Sequence, residues 1–168
     1  MDDSVQSVLL TLAELSIAYV GFAAIVGALS TTSEEWTVGT RILFRSMIDT
    51  GLMNVFLCLI PNVFYLLYFE GTSLWIVSSS LALLIVVLVF TGRMIQIRRT
   101  VGTPLAIGKW VLIPLMILAI AMYFTNAVVW RLPGVYVLAT GVHLLVNTVQ
   151  FLAVMWTLFP IRAGWGDA

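Results

Sequence analysis

LALLIVVLVF, residues 81–90, is a run of apolar side chains with no alternation of polarity. A strand of a membrane barrel must alternate lipid-facing apolar residues with lumen-facing polar ones. Inside a bilayer only helices and closed barrels satisfy every backbone polar group. A run that does not alternate therefore reads as helix, and the stretch 74–91 around it reads as one membrane span.

Four more segments share this character: 5–29, 46–69 with a helical extension back toward 38, 110–130 and 135–159. A span needs roughly 20 mostly apolar residues. The whole chain agrees. Of its 168 residues 61% are hydrophobic and 10% charged, with mean hydropathy +1.09, against about 45–50% and about 25% in soluble domains. A soluble core of this length cannot absorb so much apolar surface. The expected fold is all-α, a polytopic transmembrane bundle of five helices, forming a single domain over 1–168 with the lipid bilayer as its solvent.

The start, MDDSVQS, is acidic where a secretory leader is basic, so the first apolar stretch reads as a retained span. A lone cysteine, Cys58, excludes an internal disulfide and a cysteine-based metal cluster. Zero net charge and the lack of a basic block argue against nucleic acid. EGTS and RLPG are tight connections that make antiparallel hairpins of the second and third, and fourth and fifth, spans. The longest connection is GRMIQIRRTVGTPLAIGK, 92–109.

Seven of the eight basic residues (Arg41, Arg45, Arg93, Arg98, Arg99, Lys109 and Arg162) fall on one side of a five-span path, and Arg131 on the other. Basic residues stay cytoplasmic. The expectation is an inner (cytoplasmic) membrane, N-terminus outside and C-terminus inside. Aromatic belts are expected from Tyr65, Tyr68, Trp75, Trp130 and Tyr136 at the outer interface and Trp36, Trp110, Trp156 and Trp165 at the inner one.

Polar residues within the spans carry the functional signal. At 100° per residue His143, Asn147 and Gln150 lie within about 60° of one another, with Tyr136, Thr140 and Thr157 near the same line. Lipid cannot satisfy these groups, so the stripe must face protein or water. On the first helix Ser7, Thr11, Glu14, Ala18, Gly21 and Ala28 form another line, polar in one half and small in the other. Glu14 sits roughly 15 Å below the outer boundary. His143 and Asn62 share that depth, while Asn126 and Ser78–Ser80 lie somewhat higher. A cavity in which Glu14, Asn62 and His143 converge above Asn147 and Gln150 is expected. A carboxylate near mid-bilayer costs about 2.5–3.5 kcal/mol on insertion scales, and intramembrane acids are functional candidates for that reason.

Each signal has a plainer reading. Glu14 can staple two helices, His143 can be a packing residue, and the amides can be interhelical glue worth about 0.6 kcal/mol per bond. Arg41, Arg45 and Asp49 recur every four residues, and an Arg45–Asp49 pair at the cytoplasmic boundary is expected. Pro61 in the second span frees a carbonyl that neighbouring polar groups must satisfy.

No metalloprotease, nucleophile-elbow, phosphate-loop or dinucleotide motif occurs. One histidine cannot build a multi-histidine metal or haem site, and no cofactor or metal is expected. The chain reads as a non-enzyme. The leading expectation is a small channel or carrier for an ion, proton or small polar solute through an outward-open polar cavity. Its ligand-binding residues would be Glu14, Asn62, Asn126, His143, Asn147 and Gln150, and the chain would assemble as a homo-oligomer. The alternative is a non-catalytic accessory or scaffold subunit of a larger membrane complex.

Overall fold

The computed structural model describes residues 2–29, 38–100 and 108–158. Five helices run through them: α1 (Asp3–Leu29), α2 (Val38–Leu66), α3 (Gly71–Thr100), α4 (Ile113–Thr125) and α5 (Pro133–Leu158). Helix α4 is flanked by π-helical turns, Gly108–Leu112 and Asn126–Trp130. No strand occurs among the described residues. Helices α1, α2, α3 and α5, and the 21-residue stretch Trp110–Trp130 that α4 forms with its π-helical turns, are long and apolar enough to cross a membrane, and the chain is a multi-pass integral membrane protein. Trp36, Arg162 and Trp165, and the side chains of Lys109 and Thr157, lie outside the described residues.

Helix α3 runs nine residues past the end expected at 91 and takes in GRMIQIRR from the long connection. Arg, Gln and Met are good helix formers, so the helix outlasts its apolar stretch. Helix α5 begins at Pro133, a first-turn position where the missing N–H costs nothing. The α2–α3 turn is closed by Tyr68 in the left-handed conformation (φ 65°). Phe69 N donates to the Phe64 carbonyl and Tyr68 N to the Tyr65 carbonyl, both at 3.1 Å. The Phe64 and Phe69 rings meet edge to face at 5.5 Å. This is the bonding of a left-handed helix cap with its usual hydrophobic contact, but with tyrosine where glycine is commonest.

Neighbours in sequence are neighbours in space, and α5 closes the ring by packing on α1. Helices α2 and α5 also pack on each other across the middle. Among the described residues α1 touches neither α3 nor α4. Lipid gives no hydrophobic drive for helix association, so close backbone approach and polar contacts must hold the helices together. Ala13, Ser16, Ala23, Ala82, Ala119 and Ala139 accordingly fill buried interface positions. Gly51 is the tightest of these. A Cβ placed there would lie 2.6 Å from Val20 Cγ2 of α1 and 3.1 Å from Asn147 Nδ2 of α5. Large apolar side chains such as Ile17, Phe56, Leu88 and Leu152 are exposed on the outside, as a lipid-facing surface requires.

Two expected interface anchors belong to the core instead. Trp75 and Tyr136 are buried, with ring centroids 5.8 Å apart, because both lie on inward faces of their helices. Tyr65, Tyr68, Trp110, Trp130 and Trp156 are exposed. The charge pair also differs. Asp49 pairs with Arg93 of α3, while Arg45 is exposed. The side chain one turn away on the same helix loses to one brought in by the packing of α3 on α2.

Candidate functional site

The polar stripe of α5 lies inside the bundle. Tyr136, Thr140, His143 and Asn147 have no exposed surface and Gln150 almost none. Their spacing repeats every three or four residues, which is one face of a helix. That face looks onto α2 and α4 in its upper part and onto α1 and α2 below.

In the upper part Tyr136 and Thr140 of the stripe are satisfied, while the Tyr123 hydroxyl of α4 has no partner among the described residues. Pro61 has no N–H to offer the Leu57 carbonyl four residues earlier. Tyr136 of α5 donates its hydroxyl to that carbonyl at 2.6 Å. Thr140 donates to the Val137 carbonyl of its own helix at 2.8 Å. Tyr123 of α4 stacks edge-on against Tyr136 at 5.4 Å and lies 5.8 Å from the His143 ring. An aromatic layer of Trp75, Tyr123 and Tyr136 thus caps the stripe on the side where the α4–α5 turn lies.

Below this layer the partners run out. His143 Nδ1 donates to the Ala139 carbonyl at 3.3 Å, and Nε2 has no partner among the described residues. Asn147 lacks a partner on both Nδ2 and Oδ1. Gln150 donates through Nε2 to Ser46 Oγ at 3.0 Å, and its Oε1 is unpartnered. Opposite them, Asn54 of α2 donates through Nδ2 to Ser16 Oγ of α1 at 2.9 Å, leaving Oδ1 unpartnered. Gly51 lets Asn147 come close to this pair, since its Cβ position is 3.1 Å from Asn147 Nδ2 and 3.5 Å from the Ser16 carbonyl. Buried polar atoms without partners are rare, because each costs about 1–3 kcal/mol. Among the described residues five of these atoms, on Asn54, His143, Asn147 and Gln150, lie along the face that α5 turns to α1 and α2, and the other two are the hydroxyls of Ser78 on α3 and Tyr123 on α4.

The expected convergence on Glu14 does not occur. Glu14 is exposed on α1, whereas both ring nitrogens of His143 face the interior or their own helix. The line Ser7, Thr11, Glu14, Ala18, Gly21 is exposed as a whole. The buried line of α1 is Leu9, Ala13, Ser16, Ala23 and Val26. Asn62 is half-buried beside buried Pro61. Asn126 is a structural clamp. Its Nδ2 donates to Ser79 Oγ of α3 at 2.8 Å, and its Oδ1 accepts from Leu132 N at 2.8 Å in the turn to α5. An outward-open cavity is likewise not what the stripe presents, since His143 and Asn147 are wholly covered.

Ser16, Asn54 and Ser46 are the site residues that the reading of the sequence did not join to the stripe. Ser16 carried a signal: it falls three or seven residues from Ala13 and Ala23, a small-residue line of its own. Among the described residues no three His, Cys, Asp or Glu side chains come together, and the donor set is amide oxygen and one imidazole. Neither a family model, nor a curated protein, nor a solved structure matches this chain.

Proposed function

We propose that this membrane protein is a small non-enzymatic carrier for a polar solute or ion, which passes along the inward face of α5 below the aromatic layer. One observation carries the reading: Asn147 is fully buried with both ends of its amide unpartnered, in line with His143 Nε2 and Gln150 Oε1. A helix that needed only glue would pair these groups, as it pairs Asn126 and Ser79. Complete burial fits a carrier that opens to each side in turn better than an open pore. Asn147→Leu keeps the branched heavy-atom skeleton, with two somewhat larger methyl ends, and removes the amide. It should abolish solute flux through the purified protein in liposomes and leave the fold intact by circular dichroism. Flux equal to that of the unaltered protein rules this path out.

In this reading the chain lies in a cytoplasmic-type membrane with Asp3 outside, because basic residues gather at the other end of the bundle. Glu14 serves assembly and not the path. It is the twelfth residue of the 27-residue α1, and its exposed line of Thr11, Ala18 and Gly21 needs protein against it at that depth. A second copy of the chain is the simplest cover. The same exposed line favours a second reading, an accessory subunit seated on a larger membrane complex. Mass measurement in mild detergent separates them: a self-assembled species supports the carrier, and a stoichiometric foreign subunit supports the accessory role.

A further inference from the structure

We infer that the buried site between α1, α2 and α5 receives a small N–H donor of the ammonium class: ammonium itself or a short primary alkylammonium. The inference rests on the carrier reading and adds the identity of the guest.

Ser16 Oγ donates its only proton to the Leu12 carbonyl at 2.8 Å. It must therefore accept from Asn54, which fixes the amide nitrogen of Asn54 toward Ser16 and frees Oδ1. A carbonyl only accepts, so the contact of His143 Nδ1 with Ala139 puts the proton on Nδ1 and leaves a lone pair on Nε2. Gln150 uses its nitrogen on Ser46 and frees Oε1. Asn147 offers one oxygen and one NH2. The free set is four acceptors (three amide oxygens and one imidazole nitrogen) facing the two N–H of the Asn147 amide and, on α4 beside His143, the unpartnered Tyr123 hydroxyl, so acceptors still outnumber donor hydrogens. His143 to Gln150 covers roughly 10 Å of helix at 1.5 Å per residue.

Such a set selects by chemistry. An anion would meet mainly lone pairs. A divalent cation at this depth needs carboxylates, and among the described residues no acidic side chain is buried. A sugar-like solute, with donors and acceptors in balance, would leave acceptors unmatched. A monovalent cation is favoured, since neutral carbonyl dipoles can replace its hydration shell. Between monovalent cations, His143 Nε2 decides. An imidazole nitrogen is a poor ligand for a hard alkali ion but a good acceptor for N–H. Ammonium supplies several N–H donors in a small volume and can bond the open acceptors in succession as it moves along the face of α5.

The test uses the full chain reconstituted in phosphatidylethanolamine–phosphatidylglycerol liposomes. Labelled methylammonium uptake is driven by an imposed membrane potential, with potassium, sodium and urea fluxes measured in parallel. Methylammonium uptake well above that of protein-free vesicles is expected, competed by ammonium and not by tetramethylammonium, which carries the charge without N–H. His143→Phe should lower it by about tenfold or more, the effect of losing one hydrogen bond to a charged group. Should that variant not fold, the unaltered protein in detergent serves: ammonium chloride should raise its melting temperature and tetramethylammonium chloride at equal ionic strength should not. Passage of potassium, sodium or urea without methylammonium overturns the guest assignment and leaves the carrier standing. No flux of any solute and no thermal shift overturns both.

Discussion

Tyr136 shows how one side chain repairs a defect built into another helix. Pro61 lets α2 bend but strands the Leu57 carbonyl in the core, and the Tyr136 hydroxyl takes it up. Tyr136→Phe should destabilise the protein by about 1–3 kcal/mol, the cost of an unsatisfied buried acceptor, read by thermal unfolding in detergent. Pro61→Ala restores an N–H four residues from Leu57. In that background Tyr136→Phe should cost clearly less, and equal cost in both backgrounds would show that the bond is incidental. At this scale the sequence was legible in part. The α5 stripe was visible because polar residues at helical spacing stand out against an apolar helix. The buried face of α1 was not, because lipid and core are both apolar and hydrophobicity does not tell them apart. Glu14, the most conspicuous residue of α1, faces outward, and the modest Ser16 faces in. The partner of Asp49 was hidden for another reason: Arg45 is near in sequence, and Arg93 is near only after α3 has docked.

Helices end where backbone bonding ends, and in this protein that differs from where hydropathy ends. Length and apolar character placed all five spans, and the Gly and Pro signals placed both hairpins. The reach of α3 to Thr100 lay outside that reasoning, since a polar helix that has left the bilayer looks like a loop to a hydropathy reading. The cap at Tyr68 is the most testable element feature. Its φ of 65° is a conformation that glycine adopts without the steric cost a tyrosine bears. Tyr68 is also 92% exposed, so little packing is lost on truncation. Tyr68→Gly should raise stability by about 0.5–1 kcal/mol, after the larger entropy of glycine in the unfolded chain is deducted. A lowered melting temperature would mean that the exposed ring has an anchoring role at the interface that outweighs the relief of the backbone.

For the molecule as a whole, the decisive arrangement is the pair α2 and α5, which pack on each other and serve as a wall common to two groups of helices. On one side of that wall α1 completes the region of unpartnered amides. On the other, α3 and α4 enclose the aromatic layer and the Asn126 clamp. Because α1 meets neither α3 nor α4 among the described residues, a perturbation on one side reaches the other only through that wall. Energetic independence follows. Ser16→Ala and Ser79→Ala should each lower stability, and the double variant should lose the sum to within about 0.5 kcal/mol. A larger discrepancy would mean that the wall transmits strain, and that the two compartments behave as one cooperative unit instead of two separable modules.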